Sequence, residues 1–345
     1  MNIKNLLLVI ITTLFFYSCN TAQNTDCKKS FLIANYNVEN LFDTIHDEGK
    51  FDESFLPDGK KKWDSKRYND KLQKLAYVIK QIDENKLADV IGLVEVENIT
   101  VLKDLVSQKD LEKANYKIVH HEGPDVRGID CALLYNPKTF TLIKSTFYQV
   151  HNINNEKFKT REIIYVKGKV KKADDVVHIF INHWPSRRGG KKKSAPKRAL
   201  AAKVLRQSVD SILLTDANAK IIIMGDFNDE PSNKSITEVL GANGDKDATL
   251  FNTALAQHNE GIGTYHYWKT GEWNMLDQMI ISNGLLNANS GIITTDNRMK
   301  IFKPDWILHS DKDGNKSPSK TYGKGYYGGY SDHLPIYQHF GFQCN

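Results

Sequence analysis

Three polar motifs follow or precede apolar runs, and together they hold acids, amides and imidazoles at strand ends. Tyr330-Ser331-Asp332-His333-Leu334-Pro335 sets an Asp-His pair before an apolar segment, Gly225-Asp226-Phe227-Asn228 follows Ile221 to Met224, and Glu95 follows Ile91-Gly92-Leu93-Val94. An imidazole such as His333 is suited to proton transfer near neutral pH. A carboxylate bonded to its second nitrogen would fix the tautomer and stabilise the charged form, and Asp277, in Met275-Leu276-Asp277-Gln278, is the candidate. Asp226 can order a water or a cation, and Asn228 can donate to a phosphate oxygen without adding negative charge. Magnesium takes few protein carboxylates and keeps several waters, so Glu95, with or without Glu97, is enough to hold it. His183, at the end of the run Val176 to Asn182, is a second imidazole that could bond a phosphate oxygen or protonate a leaving oxygen. Taken singly, each of these reads as an ordinary strand-end polar residue: a capped Gly-Asp turn, a surface glutamate, a histidine packed beside Trp184. Taken together they are the equipment of a metal-dependent phosphodiesterase.

Other chemistries lack their residues. The chain has no His-Glu-x-x-His, no paired-cysteine motif, no Gly-x-Ser-x-Gly elbow and no glycine-rich nucleotide loop. Zinc-protease, serine-hydrolase and kinase mechanisms are correspondingly disfavoured.

The elements that must position these groups are legible from periodicity. Short apolar runs predict strands at 31–36, 89–94, 132–135, 141–150, 163–170, 176–182, 220–224, 278–282 and 334–342. Apolar residues at three- and four-residue steps from Lys66 to Ile82 predict a half-buried helix, and a second helix is predicted from near Ser194 to about Leu214 with Pro196 in its first turn. Helices separate several strands, so the class is mixed α/β. With 345 residues, 40% hydrophobic, the chain could build one large domain or two small ones. The spread of candidates from Asn37 to His333 favours one. The segment Tyr322-Gly323-Lys324-Gly325-Tyr326-Tyr327-Gly328-Gly329-Tyr330 reads equally as a substrate-facing loop or a structural surface loop.

Charge distribution says more than net charge. Removing Lys4 with a leader changes the formal charge only from +6 to +5. Arg187, Arg188, Lys191, Lys192, Lys193, Lys197 and Arg198 nevertheless crowd into the stretch directly after His183. Such a run is usually a solvated loop, but its position beside a candidate site points to a polyanionic substrate.

At the N-terminus, Lys4 precedes an apolar run from Leu6 to Tyr17 that is too short to span a bilayer and fits a secretory signal. Phe16-Tyr17-Ser18-Cys19 resembles a bacterial lipobox, in which Cys19 would be lipidated; it departs from the usual pattern at Phe16 and Tyr17. Residues 1–19 are thus expected to be a signal peptide, 20–29 a short tether and 30–345 the folded domain, in a protein exported and anchored to a membrane through Cys19, or otherwise secreted. In an oxidising compartment Cys27 and Cys344 would pair if the terminal strands are antiparallel neighbours, while Cys131 lies within a strand.

The order Asn37-Val38-Glu39, Glu95, His183, Gly225-Asp226-Phe227-Asn228, Asp277, Ser331-Asp332-His333 resembles the endonuclease/exonuclease/phosphatase superfamily, over about Phe31 to Phe342. The resemblance implies a DNase I-like four-layer α-β-β-α sandwich with two central mixed β-sheets, whose strand-end loops converge in one cleft. It implies Glu95 as the principal ligand of Mg²⁺, with Mn²⁺ or Ca²⁺ as alternatives, helped by Asp332 and by Asn37 or Glu39. It makes His333 and Asp277 the main dyad, has Asp226 and Asn228 position water and phosphate, and places His183 on the DNase I and sphingomyelinase side of the superfamily. Arg161-Glu162 resembles a phosphate-contacting pair, with a surface salt bridge as the competing reading. Asp130 is the nearest counterpart of the acid that orients the second histidine, one position out of register. The expectation is a monomeric exported endonuclease acting on DNA. The alternatives are a phosphatase or phospholipid phosphodiesterase acting on an inositol phosphate or sphingomyelin-type substrate, and a non-catalytic binding protein on the same scaffold.

Overall fold

The structure, a computed structural model, describes residues 30–343. The leader, Cys19 and the expected Cys27–Cys344 pair lie outside the described residues. In chain order the strands are β1 (Phe31–Leu41), β2 (Val90–Val96), β3 (Lys117–His120), β4 (Asp130–Tyr135), β5 (Phe140–Tyr148), β6 (Ile163–Val170), β7 (Asp175–His183), β8 (Lys220–Asp226) and β9 (Ala242–Asn243). They continue as β10 (Leu250–Asn252), β11 (Tyr265–Tyr267), β12 (Glu272–Asn274), β13 (Asp277–Ser282), β14 (Gly291–Thr294), β15 (Lys300–Ile301), β16 (Leu308–Ser310), β17 (Lys316–Pro318) and β18 (Ile336–Gln343). Three helices matter for the layers: α1 (Ser65–Gln81), α2 (Ile99–Val106) and α3 (Lys191–Leu213).

Two seven-stranded sheets carry the fold, ordered β14-β18-β1-β2-β4-β3 with β15 on β18, and β5-β6-β7-β8-β13-β10-β9. Both are mixed, since β1 runs parallel to β2 and β7 parallel to β8 while the other central pairs are antiparallel. β1 and β18 are neighbours, so the two ends of the described chain close one sheet.

The period-two alternation of each strand creates the layers. Along β1, Leu32 and Ala34 join the core beneath α1 and α2, whereas Phe31 and Ile33 join the core between the sheets. Along β8, Ile222 and Met224 face that same inter-sheet core, while Ile221 and Ile223 pack under Ala201, Ala202, Leu205 and Val209 of α3. Three cores separate four layers, the α-β-β-α sandwich.

Boundaries differ from the periodicity where local geometry intervenes. β1 runs to Leu41 rather than Tyr36, because it continues pairing beyond a register break after Asn37. The third helix starts at Lys191, so Pro196 lies inside it, where the ring removes one backbone donor. Helix α2 was not predicted; Asn98 caps it by accepting from the N–H groups of Thr100 (2.9 Å) and Val101 (3.1 Å).

Candidate active site

Backbone irregularities aim the site residues. Val94 faces the inter-sheet core while Val96 faces the core under α1, although a regular strand would put them on one face. The β2–β4 register breaks between them, and Glu95, at the break, has φ +67°. Glu39 (φ +51°), Asn40 (φ +53°) and Asn228 (φ +50°) are also left-handed. Non-glycine residues rarely adopt that region, and they cluster where a bulge redirects a functional side chain. Gly225 is part of a strand and not of a turn. It lies within β8 opposite Asn182 of β7, and a Cβ there would sit 1.9 Å from the Asn182 carbonyl oxygen.

Asp226 is the hub. Its Oδ2 accepts from Asn37 Nδ2 (3.1 Å) and Asn228 Nδ2 (3.3 Å), and Oδ1 accepts from the Asn228 N–H (2.8 Å). His183 Nε2 stands 3.7 Å and His333 Nε2 3.9 Å from the same Oδ2. His333 Nδ1 bonds Asp277 Oδ2 at 2.7 Å, and the hydroxyl of buried Thr264 donates to that oxygen at 2.6 Å. Asp277 is therefore held on two sides and cannot swing away from the imidazole. The ring of Tyr265 lies 4.9 Å from that of His333.

These environments push the two imidazoles apart. Burial opposes charge on His333, but the Asp277 and Asp226 carboxylates and the hydrogen bond to Asp277 outweigh it and hold the imidazole well above its ordinary range. His183 is driven well below it by burial, then by the neighbouring Arg161, Arg127 and His333. Asp226 rises to about 7, chiefly through burial, against the pull of His333. A neutral imidazole and a charged one thus face a carboxylate whose affinity for protons is near neutral.

Glu95 and Asp332 remain half-buried while Asp226 and Asp277 are buried, so the former pair is open to a hydrated ion. Burial raises the Asp332 carboxyl, His333 opposes the rise and Glu95 adds to it. Two mutually repelling carboxylates with only oxygen donors fit a hard cation of the Mg²⁺ or Mn²⁺ type. Asp226, Asp277 and His333 also lie close enough to ligate an ion, but the 2.7 Å bond already accounts for the histidine–aspartate contact.

Several residues take places other than those expected. Asn37 meets Glu95 (3.4 Å) and Asp226 (3.1 Å) with its NH₂, while its oxygen accepts from the Glu39 N–H, so it is a donor to carboxylates. Glu39 accepts from the N–H groups of Thr321 (2.6 Å) and Tyr322 (3.1 Å), which ties β1 to the Tyr/Gly segment. Arg161 is buried, with one terminal nitrogen on Asp125 (3.1 Å) and the other on the Trp184 carbonyl; only its Nε has no partner. It is neither a surface salt bridge nor, with two nitrogens committed, a free phosphate clamp. Asp130 faces His120 and accepts from the Gly123 N–H at 3.1 Å; among the described residues no hydrogen bond joins it to His183, whose Nδ1 has no partner. Glu97 is buried and accepts from the Asp43 N–H at 2.7 Å, so it is no surface glutamate. In the basic run, Arg198 is buried on Asp229 (2.7 Å), Lys191 pairs with Glu230 (2.7 Å) and Arg187 bonds the Asn228 carbonyl (2.7 Å).

Thr264 and Lys71 escaped the sequence reading. Lys71 is buried on α1 and donates to Thr321 Oγ1 (2.7 Å) and to the Tyr330 carbonyl (3.1 Å). Its signal was available: it falls three residues after Tyr68 and four before Leu75, on the apolar stripe. Burial lowers its ammonium to about 8 and raises the Glu39 carboxyl to about 7.

The sequence profile described as Endonuclease/Exonuclease/phosphatase family matches residues 32–341. Solved structures share the architecture at low identity. A family protein from Bacteroides thetaiotaomicron is 15% identical, covering 92% of this chain and 99% of its own, with a TM-score of 0.58. The human nocturnin catalytic domain, solved with a bound sulfate, is 17% identical over 91% of this chain and 95% of its own (TM-score 0.55). A mannosyl-6-phosphatase of B. thetaiotaomicron is 16% identical over 91% of this chain and 100% of its own (TM-score 0.57). No sequence among curated proteins matches the chain.

Proposed function

Because the chain belongs to the endonuclease/exonuclease/phosphatase family of phosphoesterases, we propose that it is an exported, magnesium-dependent endonuclease that hydrolyses DNA. The observation that carries the chemistry is the Asp277-held, charged His333 facing Asp226, with neutral His183 on the same oxygen.

Asp226, poised near neutrality, is placed to orient a water and take its proton as the oxygen attacks phosphorus. The His333 imidazolium and the His183 N–H then meet the charge that accumulates on the phosphoryl oxygens, and Asn228 fixes Asp226 from beside it. Glu95 and Asp332 would hold the cation, which when bound neutralises phosphate charge. The leaving oxygen departs with a proton from the charged imidazole or from water.

The nucleic-acid reading rests on what lies around this centre. Arg188, just before α3, and Lys192, Lys193 and Lys197, in its first turns, remain exposed shortly after His183. On the hairpin β11–β12, which begins at Tyr265 against His333, Trp268 is 69% exposed with the Lys269 ammonium 5.5 Å from its ring centre. Exposed cations and a stacking aromatic are the means by which strands are held without sequence preference. A second reading, a phosphatase or phospholipid phosphodiesterase, is favoured by the commitment of Arg187, Lys191 and Arg198 to protein partners, which thins the basic run.

The test offers plasmid DNA, RNA, sphingomyelin and inositol phosphates to purified protein with Mg²⁺, with and without chelator. Chelator-sensitive nicking of plasmid is expected; turnover confined to a lipid or a phosphomonoester would replace the nuclease reading with the second one. Membrane tethering through Cys19 belongs to the same proposal, and predicts incorporation of labelled fatty acid that a Cys19→Ser variant loses.

A further inference from the structure

At the β3–β4 end of the first sheet lies a second group of ligand-type side chains. β3 ends at His120, β4 begins at Asp130, and the two strands are antiparallel neighbours. His120 Nε2 and Asp130 Oδ2 face each other at 3.6 Å, each on a side chain only 3% exposed, and neither atom has a hydrogen-bond partner. Glu122, half exposed, is a third donor within reach: one ligand atom from each of the three residues falls within 4.8 Å of the others, while its Oε1 stands on the other ring edge, 3.8 Å from His120 Nδ1.

The spacing argues against a direct bond. Imidazole and carboxylate touch at 2.7 Å where they do bond, as in His333–Asp277. Two ligands ~2.1 Å from one ion, at tetrahedral to trigonal angles, stand ~3.4–3.6 Å apart. Burying both polar atoms unpaired is costly, whereas an ion between them satisfies both. Lys50 is the nearby cation, and its ammonium is engaged by the carbonyls of Gly123 (2.8 Å) and Asp125 (3.1 Å). Among the described residues, no hydrogen bond or ion pair connects the group to Glu95, Asp226, His183 or His333.

We propose that His120, Glu122 and Asp130 bind a divalent cation separate from the one at Glu95 and Asp332. One imidazole with two carboxylates, one of them exposed, suits zinc or manganese better than magnesium. The ion would close the loop 121–129, which also supplies Asp125 to Arg161. Its role is to brace the strand-end loop behind the Trp184 carbonyl.

The test uses full-length, tag-free protein carrying Glu95→Gln and Asp332→Asn, so that the catalytic-side ion is removed from the count. Calorimetric titration of this chelator-stripped protein with Zn²⁺ is expected to give one ion per chain and a rise in melting temperature. Adding Glu122→Gln, an exposed change that leaves the fold alone, or His120→Gln should weaken binding by roughly 10–100-fold or more and remove the thermal shift. Zinc binding that neither substitution alters, or no zinc bound at all, would overturn the proposal. Should His120→Gln fail to fold, Glu122→Gln decides alone.

Discussion

His183 and His333 approach one oxygen, Asp226 Oδ2, at 3.7 and 3.9 Å, and each comes from a different sheet: His183 ends β7, and His333 leads into β18. The site is therefore built across the inter-sheet core, and any slip of one sheet on the other would separate the imidazoles. The two environments also differ. Asp277 and Asp226 push the His333 imidazole up despite its burial, while burial and Arg161 push His183 down; in the proposed hydrolysis that separation gives His333 an electrostatic role and His183 that of a neutral donor.

Replacing either imidazole should cost about 10²–10⁴ in rate. The informative variant is Asp277→Asn. It removes the carboxylate that favours the charged form of His333, so the imidazole will lose its proton at lower pH. The alkaline limb of the kcat/KM profile is expected to move to lower pH; the acid limb, set by Asp226, should shift the same way, because the Asp277 carboxylate also raises that carboxyl. A profile whose alkaline limb stays in place would remove His333 from its role as the charged partner.

Gly225→Ala is expected to damage the fold as well as the site. The added Cβ would meet the Asn182 carbonyl at 1.9 Å, and φ there is +143°. Backbone on both sides of the clash is part of the β7–β8 ladder, so relief requires the strands to part, at a cost of about 1–3 kcal/mol or more. Urea unfolding of the variant gives the number, and loss of activity should accompany it because Asp226 is the next residue.

How much of this could be read beforehand depends on whether the determinant was periodic. Leu32 and Ile33 alternate between cores and betray their strand; Leu72, Leu75 and Ile79 do the same for α1. The Asp277–His333 pairing followed from residue type and resemblance, and the structure places the two in contact. The break at Glu95 did not follow, because a bulge is a property of two strands in register, and one strand's sequence does not contain its partner's. For the same reason the resemblance could offer Asn37 or Glu39 as an ion ligand, but only the positions of Thr321, Tyr322 and Asp226 show which atoms they meet. Within the basic run the sequence could not separate Arg198 from its exposed neighbours, since its carboxylate partner Asp229 lies far along the chain.

Lys71 predicts how the Tyr/Gly segment is held. Its ammonium reaches both ends of that segment, at Thr321 and Tyr330, from within α1. Lys71→Met keeps the length and removes the donors, leaving the Tyr330 carbonyl short of a partner at a cost of about 1–3 kcal/mol. Amide exchange should quicken across residues 320–330 while the β1–β18 ladder stays protected. Equal exchange in variant and wild type would mean that the segment is held by Glu39, Lys74 and its aromatic packing instead.

Glu97 predicts a pH dependence of stability unrelated to catalysis. Burial drives its carboxyl up to about 9 from an ordinary 4.5; the Asp43 N–H opposes this, and Asp43, Asp47 and Asp52 add to it. The folded state therefore binds this proton more tightly than the unfolded chain does. A raised folded value means that the contribution is fully present below about 4.5 and is lost progressively as pH climbs toward 9. Glu97→Gln has the same shape, can still accept from the Asp43 N–H, and carries no proton to lose. The variant should match wild type in urea midpoint at pH 5 and exceed it at pH 9. A gap that is the same at both values would show that Glu97 stays ionised in the fold, its charge compensated by a group other than those named.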